Sequence, residues 1–229
     1  MKALSVIVWI LVPIILMVLF ASVLTSRPYM RLSEGRYATH DLIPERYDFD
    51  HRYVARQLID YLNYRHDDLT FGAREGEEGP VMIEIEIIHM VDVKEVYTLV
   101  RVIAAISLVV VIAISLFMYK TNLKLFHYTY KNLFWLPLAF FVFVGTWLLI
   151  DFNRIFTVFH EIFFEDNWQL PMHVLIPLLP EAFWMVSAII ILIFSVSTMA
   201  LIVYLNHRLI RPKVEKLSAN FQTPTLKEQ

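Results

Sequence analysis

Two histidines are the residues of this chain best placed to do chemistry. His89 follows a run in which apolar and polar residues alternate, and His160 lies in an aromatic run after a long uncharged one. An unperturbed imidazole titrates near about pH 6.5, so histidine suits proton transfer at neutral pH. A single histidine at a membrane edge is more often an interface residue than a catalyst. We therefore expect catalysis only if the two histidines meet at one membrane edge.

Asp92 and Glu161 lie close to the histidines in sequence and are candidates for orienting the two rings. The acid at position 92 and the glutamate at position 95 match a capping box, a pattern that indicates the start of a helix. Asp92 therefore has two possible roles: it caps that helix, or it holds the ring of His89. Glu161 follows His160 directly.

The residues after position 151 are predicted to continue as a helix. Asn153 and His160 then share one helical face. Arg154 can pair with Asp151 at i, i+3, or its guanidinium can stabilise negative charge on a carbonyl oxygen of a substrate. Asn153 and Arg154 are therefore supporting candidates for the site.

A metal site is the first alternative to weigh, because the pair His160–Glu161 resembles the opening of a zinc-protease helix. That motif needs a second histidine four residues after the first, and position 164 is phenylalanine. A site built from His89, His160 and His173 remains a weak alternative. We expect no metal and no cofactor.

The composition argues against several other chemistries. The chain has no cysteine, which rules out disulfides, thiolate ligands and a cysteine nucleophile. Outside the predicted spans and before the tail, only Ser26 and Ser33 could serve as a serine nucleophile, in no recognisable setting. A glycine-rich phosphate loop is missing, so we expect no nucleotide. The net charge of -2 gives no basis for binding nucleic acid.

The elements that must position the histidines are membrane-spanning helices. With 58% hydrophobic and 18% charged residues, the chain is typical of a multi-span membrane protein. Four uncharged runs approach or exceed the length of about 20 residues that crosses a hydrocarbon core. The predicted spans are 3–24, 102–119, 133–150 and 182–206, in one integral membrane domain over 1–229.

The distribution of charge predicts the orientation of these spans. The segment 120–132 carries three lysines and no acid, and the tail 207–229 begins with a basic stretch, whereas 151–181 carries one arginine and five acids. Because short cytoplasmic loops are enriched in Lys and Arg, 120–132 and 207–229 are predicted to be cytoplasmic. The segments 26–101 and 151–181 are then extracellular, and both ends of the chain are cytoplasmic. Both histidines fall on the outer side.

The first outer segment is long enough to have structure of its own. Residues 51–65 place apolar residues at helical spacing, which predicts an amphipathic helix. Residues 72–80 form a turn cluster, and 81–87 alternate in the manner of a half-buried strand that could pair with 69–73. The predicted fold is an all-α polytopic membrane protein with four transmembrane helices. An extracellular subdomain of short helices and a small β element lies between spans one and two.

Three features in combination resemble one known family. The run HMVDVK at 89–94 and the run FHEIFFEDNWQLP at 159–171 lie at the edges of predicted spans. The four-span layout adds an extended first outer segment. The chain resembles, over nearly its whole length, the lipoprotein intramolecular transacylases (Lit) of low-GC Gram-positive bacteria. The two histidines essential in that family would correspond to His89 and His160.

The resemblance implies an acyltransferase of the bacterial plasma membrane with its active site facing the outer leaflet. Its substrate would be a lipoprotein, embedded among membrane lipids, whose N-terminal cysteine carries a diacylglyceryl group. The acyl chain would move from the sn-2 ester to the cysteine α-amino group and give the lyso-form lipoprotein. As a hypothesis, His89 takes the proton from the amine. His160 then returns a proton to the glycerol oxygen or steadies the tetrahedral intermediate.

The alternative from another class is a non-enzymatic membrane receptor or assembly partner that uses the first outer segment as a binding module. The positions of the two histidines distinguish the enzyme hypothesis from the binding-module hypothesis. An enzyme should bring His89 and His160 within several Å of each other beside a cavity open to the outer leaflet, and a binding module has no need to do so.

Overall fold

The computed structural model describes residues 2–31, 48–164 and 166–222, and within these ranges the regular structure is helical, with no strand. Four helices are long and apolar enough to cross a membrane: Lys2–Leu24, Glu84–Thr121, Leu123–Ile150 and Glu181–Ala219. They contain the four predicted spans, so the all-helical, four-span architecture is confirmed. Ser33 lies outside the described residues.

The helices divide further where caps and turns interrupt them. In chain order they are α1 (Lys2–Leu24), α2 (His51–Leu62), α3 (Glu84–Thr121), α4 (Leu123–Lys131), α5 (Trp135–Ile150), α6 (Phe152–Phe163), α7 (Leu175–Leu178), α8 (Glu181–Leu205) and α9 (Arg211–Gln222). Residues 27–31 are also helical. A π-helical turn, Asn206–Ile210, joins α8 to α9.

Helix α2 forms where the amphipathic pattern predicts it. Asp50 caps its start, since its carboxylate accepts hydrogen bonds from the backbone N–H groups of Arg52 and Tyr53 at 2.9 and 3.0 Å. Its buried face includes Val54 and Leu58, at i and i+4. The apolar spacing therefore predicts both the helix and its buried face.

The start of α3 overturns the strand predicted for 81–87, because the chain is helical from Glu84 onward. Acids are favourable in a first helical turn, where they face the positive end of the helix dipole. The carboxylate of Glu86 also accepts a hydrogen bond from the backbone N–H of Ile83 at 3.2 Å. One backbone bond of 3.0 Å, from Val81 N–H to Phe71 O, still joins the two segments of the expected hairpin.

The predicted cap at Asp92 is also wrong, because this residue lies well inside α3. The glutamate that bonds back to the helix start is Glu86, three residues after Ile83, as in the second half of a capping box. The true helix start therefore lies more than two turns before the predicted one. Residues 84–101 of α3 precede the uncharged run 102–119 that is predicted to cross the membrane.

Two compact units make up the chain, and the first comprises Met1–Val18, Ile103–Val144 and Leu192–Gln229. Within it, the hydroxyls of Ser5 and Thr129 are 2.7 Å apart and fully buried. Buried hydroxyl groups need such partners, because an unpaired polar group in an apolar setting is costly. The pair therefore ties α1 to α4.

The second unit comprises Leu19–Val102 and Gly145–Ile191, and it contains both histidines. Its core combines α2, the start of α3 and the segment around α7. The core residues are Phe49, Val54, Leu58, Tyr61, Leu69, Met82, Met90, Val174 and Leu175. The two segments predicted to lie on the outer side therefore pack against each other, with Met90 next to His89 in the shared core.

Candidate active site

His89 and His160 come together within the second unit. Their ring centroids are 6.2 Å apart and their planes differ by 21°, so the two imidazoles are stacked with nearly parallel planes. Only 7% of His89 and 8% of His160 is exposed. Two residues separated by about seventy positions of the chain thus form one buried pair, which is the first part of the geometry expected of an enzyme.

Helix α6 sets the position of His160. Asp151 caps this helix by accepting a hydrogen bond from the backbone N–H of Arg154 at 2.9 Å. Near the other end, Nδ1 of His160 lies 2.7 Å from the backbone oxygen of Phe156. Because a carbonyl oxygen can only accept, Nδ1 carries the proton. In its neutral form His160 therefore has its lone pair on Nε2.

An aromatic cage surrounds His160. The ring centroids of four aromatic residues lie between 4.0 and 5.4 Å from that of His160; they belong to Phe156, Phe159, Phe164 and Trp168. Phe164 also contacts His89, with centroids 5.0 Å apart. These rings cover the imidazole of His160, and Phe164 also covers that of His89.

Burial changes the pKa of both histidines. His89 precedes the uncharged run 102–119 and His160 follows the run 133–150, so neither lies within a predicted span. Burial lowers the pKa of His89, and the neighbouring His160 lowers it further, while Asn167 and the carboxylate of Asp92 act in the opposite direction. Burial also lowers the pKa of His160, and its hydrogen bond to Phe156 opposes that change. Both imidazoles are therefore neutral at neutral pH, with proton-accepting capacity.

Asp92 lies next to His89 on α3, but its hydrogen bond goes to Asn167. The side-chain amide nitrogen of Asn167 donates to the carboxylate of Asp92. Asn167 comes from the segment after α6, so this bond links the two parts of the chain that carry the histidines. Asp92 can act on His89 through this amide as well as through its charge.

Glu86 provides a second link, one helical turn before His89. Its side chain is fully buried. One carboxylate oxygen accepts hydrogen bonds from the backbone N–H groups of Val174 and Leu175, both at 2.8 Å. The other lies 2.9 Å from Nδ1 of His173. The start of α3 is thereby held to the start of α7.

A cavity of about 750 Å³ lies beside the pair. Its wall includes Phe164, which contacts both imidazoles, and Asn167, but neither histidine ring. The rest of the wall combines apolar side chains with four carboxylates. These belong to Glu84, Asp92, Glu95 and Asp166. The cavity is therefore negatively charged and adjoins the imidazoles across Phe164.

The other predicted site residues lie at the surface of α6. Asn153, Arg154 and Glu161 are exposed. Arg154 donates its backbone N–H to Asp151, but no ion pair joins their side chains among the described residues, so their predicted pairing is a helix cap instead. His173 contacts Glu86 rather than the histidine pair. Within 2–31, 48–164 and 166–222, no group of three His, Cys, Asp or Glu side chains is arranged to hold a metal ion.

Glu86 and Asn167 are the two site residues that the sequence analysis missed. In a strand, Glu86 and His89 point to opposite faces, because their separation is odd. In a helix, a spacing of three places them on one face. The helical spacing of Glu86, His89 and Val93 was the available signal. No comparable signal marks Asn167, which lies in an irregular segment.

The fold and site define a multi-pass membrane protein with a buried pair of histidines. Comparison with solved structures finds the same fold in the membrane integral lipoprotein intramolecular transacylase Lit from Bacillus cereus. The match has a TM-score of 0.75 and 19% sequence identity, and covers 93% of this chain and 97% of that one. Two structures of the same protein, one with His replaced by Arg and one with Ala, each match with a TM-score of 0.71.

The family model described as "Lipoprotein intramolecular transacylase Lit" matches residues 2–184, and this chain therefore belongs to that family. Comparison with curated protein sequences gives no significant match. Membership makes the protein an acyltransferase. The predicted class of enzyme is confirmed over the alternative of a non-enzymatic binding module.

Proposed function

We propose that this protein moves the acyl chain of a diacylglyceryl-modified lipoprotein from the sn-2 glycerol oxygen to the α-amino group of the N-terminal cysteine. The product is the lyso-form lipoprotein. The observation that carries the proposal is the buried pair of His89 and His160, with ring centroids 6.2 Å apart. Donor ester and acceptor amine belong to one molecule, and such arrangements can reach effective molarities on the order of 10⁵ M or more, so a protein nucleophile is unnecessary.

The reaction needs one proton to leave the amine and one to reach the glycerol oxygen. The N–C bond forms as the free amine attacks the ester carbonyl, and the C–O bond breaks as the glycerol oxygen is protonated. A substrate that arrives as an ammonium first loses one proton to solvent. His89 then accepts the proton that the attacking amine releases and passes it to Nε2 of the neutral His160, which delivers it to the leaving glycerol oxygen. Because a charge on either imidazole disfavours a charge on the other, the pair holds one proton at a time. The aromatic faces around His160 stabilise a transient imidazolium.

The cavity suits the headgroup of such a substrate. An α-amino group has a pKa of about 7.7–8.0, so much of the substrate arrives as a cation. The carboxylates of the cavity wall attract that charge, while the apolar side chains accept the lipid portion. The reacting groups reach the imidazoles when the ring of Phe164 rotates aside. Arg154 and Asn153, exposed on α6, are candidates for contacts with the substrate or its oxyanion, and Glu161 is a candidate for orienting the ring of His160.

The proposed substrate also requires a particular orientation in the membrane. A lipoprotein headgroup lies in the outer leaflet of the plasma membrane, so the second unit must face outward. The basic segments 120–132 and 207–229 support this orientation, because positive loops stay in the cytoplasm. Both ends of the chain are then cytoplasmic.

The proposal is tested by expressing the wild type and the variants His89→Ala and His160→Ala in a host without other N-acylation of lipoproteins. Mass spectra of the lipoprotein N-terminal peptides should show the lyso-form with the wild type. Each variant should leave the diacylglyceryl form with a free amine. His207→Ala is the matched control, since His207 is exposed and bonds to Arg211. Lyso-form persisting with both site variants would refute the catalytic assignment.

A further inference from the structure

Asn167 has a fixed orientation because of its partner. Its amide nitrogen donates to the carboxylate of Asp92. A carboxylate can accept but not donate, so the opposite orientation, with the amide oxygen against Asp92, is repulsive. The amide oxygen Oδ1 must then face away from Asp92. Among the described residues this buried oxygen has no hydrogen-bond partner.

His89 has a matching buried atom without a partner. Its Nδ1 is buried and neither accepts nor donates a hydrogen bond among the described residues. Asn167 bonds to Asp92, which lies three residues after His89 on α3, so its side chain lies next to that imidazole and raises its pKa. Buried polar atoms are rarely left unpaired, because each lost bond costs free energy. Two such atoms on neighbouring side chains thus indicate one unmet interaction between them.

We propose that Asn167, oriented by Asp92, is a positioning residue that holds His89 in the tautomer with the proton on Nδ1. The amide oxygen can only accept, so it pairs with Nδ1–H. The other tautomer would place two lone pairs against each other in a buried site. A small side-chain rotation closes this bond. The lone pair of His89 is then on Nε2, the nitrogen on the far side of the ring.

The same tautomer is enforced on the partner histidine by other means. His160 donates from Nδ1 to the backbone oxygen of Phe156 at 2.7 Å. Both imidazoles therefore present Nε2 as the atom that gains and loses protons. The tautomer itself is independent of the reaction, but its use in catalysis rests on the proposed function.

The tautomer can be observed directly by nitrogen NMR. The full-length protein, labelled with ¹⁵N-histidine, is studied in detergent micelles at about pH 8, above the unperturbed imidazole pKa of about 6.5. The His89 signals are those lost in His89→Gln. We expect a protonated Nδ1 and an unprotonated Nε2 in the wild type. In Asn167→Ala we expect the two tautomers to mix and the Nδ1 and Nε2 shifts to converge.

Asn132→Ala is the matched control, since the amide of Asn132 also donates one hydrogen bond, to the backbone oxygen of Tyr128, but lies in the other unit. It should leave the His89 signals unchanged. A wild-type His89 protonated on Nε2 would overturn the proposal whether or not any variant folds. So would an unchanged Nδ1–H signal in a stably folded Asn167→Ala.

Activity gives a second measurement. With a synthetic diacylglyceryl lipopeptide, Asn167→Ala should lower kcat/KM about tenfold or more, since a misplaced general base forfeits part of a contribution of about 10²–10⁴-fold. The acidic limb of the pH–rate profile should also move to lower pH. Asn167 raises the pKa of His89, alongside the effects of Asp92 and His160, and the variant removes that contribution. An inactive wild type would refute the proposed function and leave the NMR result as the test of the tautomer.

Discussion

The rings of His89 and His160 are nearly parallel, with 21° between their planes and 6.2 Å between their centroids. Each ring is buried, and each ring borders Phe164. Two imidazoles at this distance in a water-poor site cannot both become charged without a large penalty. The pair therefore links the stability of the protein to pH.

Acid should destabilise the protein through this pair. The pKa of each histidine in the folded state is lower than its value of about 6.5 in an unfolded chain. The unfolded chain then binds more protons than the folded one as pH falls below about 6.5. The stability is fully present above that pH and is lost as pH falls through the folded-state pKa values. We expect the thermal midpoint in detergent to fall between about pH 7 and 5.

The matched variant for this prediction is His160→Gln. It removes one buried titrating ring and the like charge next to His89, so the thermal midpoint should depend less on pH over the same range. A wild-type midpoint that stays constant, or a variant with unchanged pH dependence, would contradict the assignment of the acid sensitivity to the pair.

Glu86→Gln should cost about 2–4 kcal/mol of unfolding free energy. The carboxylate accepts from three backbone N–H groups, those of Ile83, Val174 and Leu175, and from Nδ1 of His173. Hydrogen bonds to charged groups contribute about 1.5–3 kcal/mol each. An amide keeps two of these bonds but turns one acceptor into a donor. The loss is measured as a lower thermal midpoint in detergent.

Glu78→Gln is the control for Glu86→Gln, because Glu78 is exposed in the loop before α3. This change should alter the unfolding free energy by less than about 0.5 kcal/mol. Equal stability of the two variants would mean that Glu86 does not hold α3 to the segment around Val174.

Asp151 should contribute through its cap rather than through an ion pair. Asp151→Ala removes the acceptor for the Arg154 N–H and should cost about 1 kcal/mol, whereas Asp151→Asn should cost little. Arg154→Ala should change the unfolding free energy by less than about 0.5 kcal/mol. Thermal midpoints of the three variants distinguish these roles. A larger loss for Arg154→Ala than for Asp151→Ala would restore the predicted side-chain pairing.

Long uncharged runs made the four spanning helices predictable, because the requirement to cross a hydrocarbon core leaves few alternatives. The pairing of His89 with His160 could also be predicted, once both were assigned to the same membrane side. The start of α3 could not, since Glu84 and Glu86 satisfy the period of a strand as well as the first turn of a helix. What decides between them is a tertiary contact, from Glu86 to the N–H groups of Val174 and Leu175.

The role of Asn167 shows a different limit. Asn167 lies in an irregular segment without periodicity. Its significance depends on two groups that are far away in sequence, the carboxylate of Asp92 and Nδ1 of His89. Local patterns report faces of helices and strands. They carry no information about which loop side chain turns inward, so a polar contact of this kind has to be read from the structure.

The proposed orientation can be tested in a chain that needs no prior modification, because it contains no cysteine. Glu78→Cys introduces a thiol at an exposed position before α3, and Lys216→Cys introduces one at an exposed position of α9. In intact cells, a membrane-impermeant maleimide should label position 78. Position 216 should be labelled only after the membrane is permeabilised. The reverse pattern would place the histidine pair on the cytoplasmic side, where the headgroup of an exported lipoprotein does not reach it.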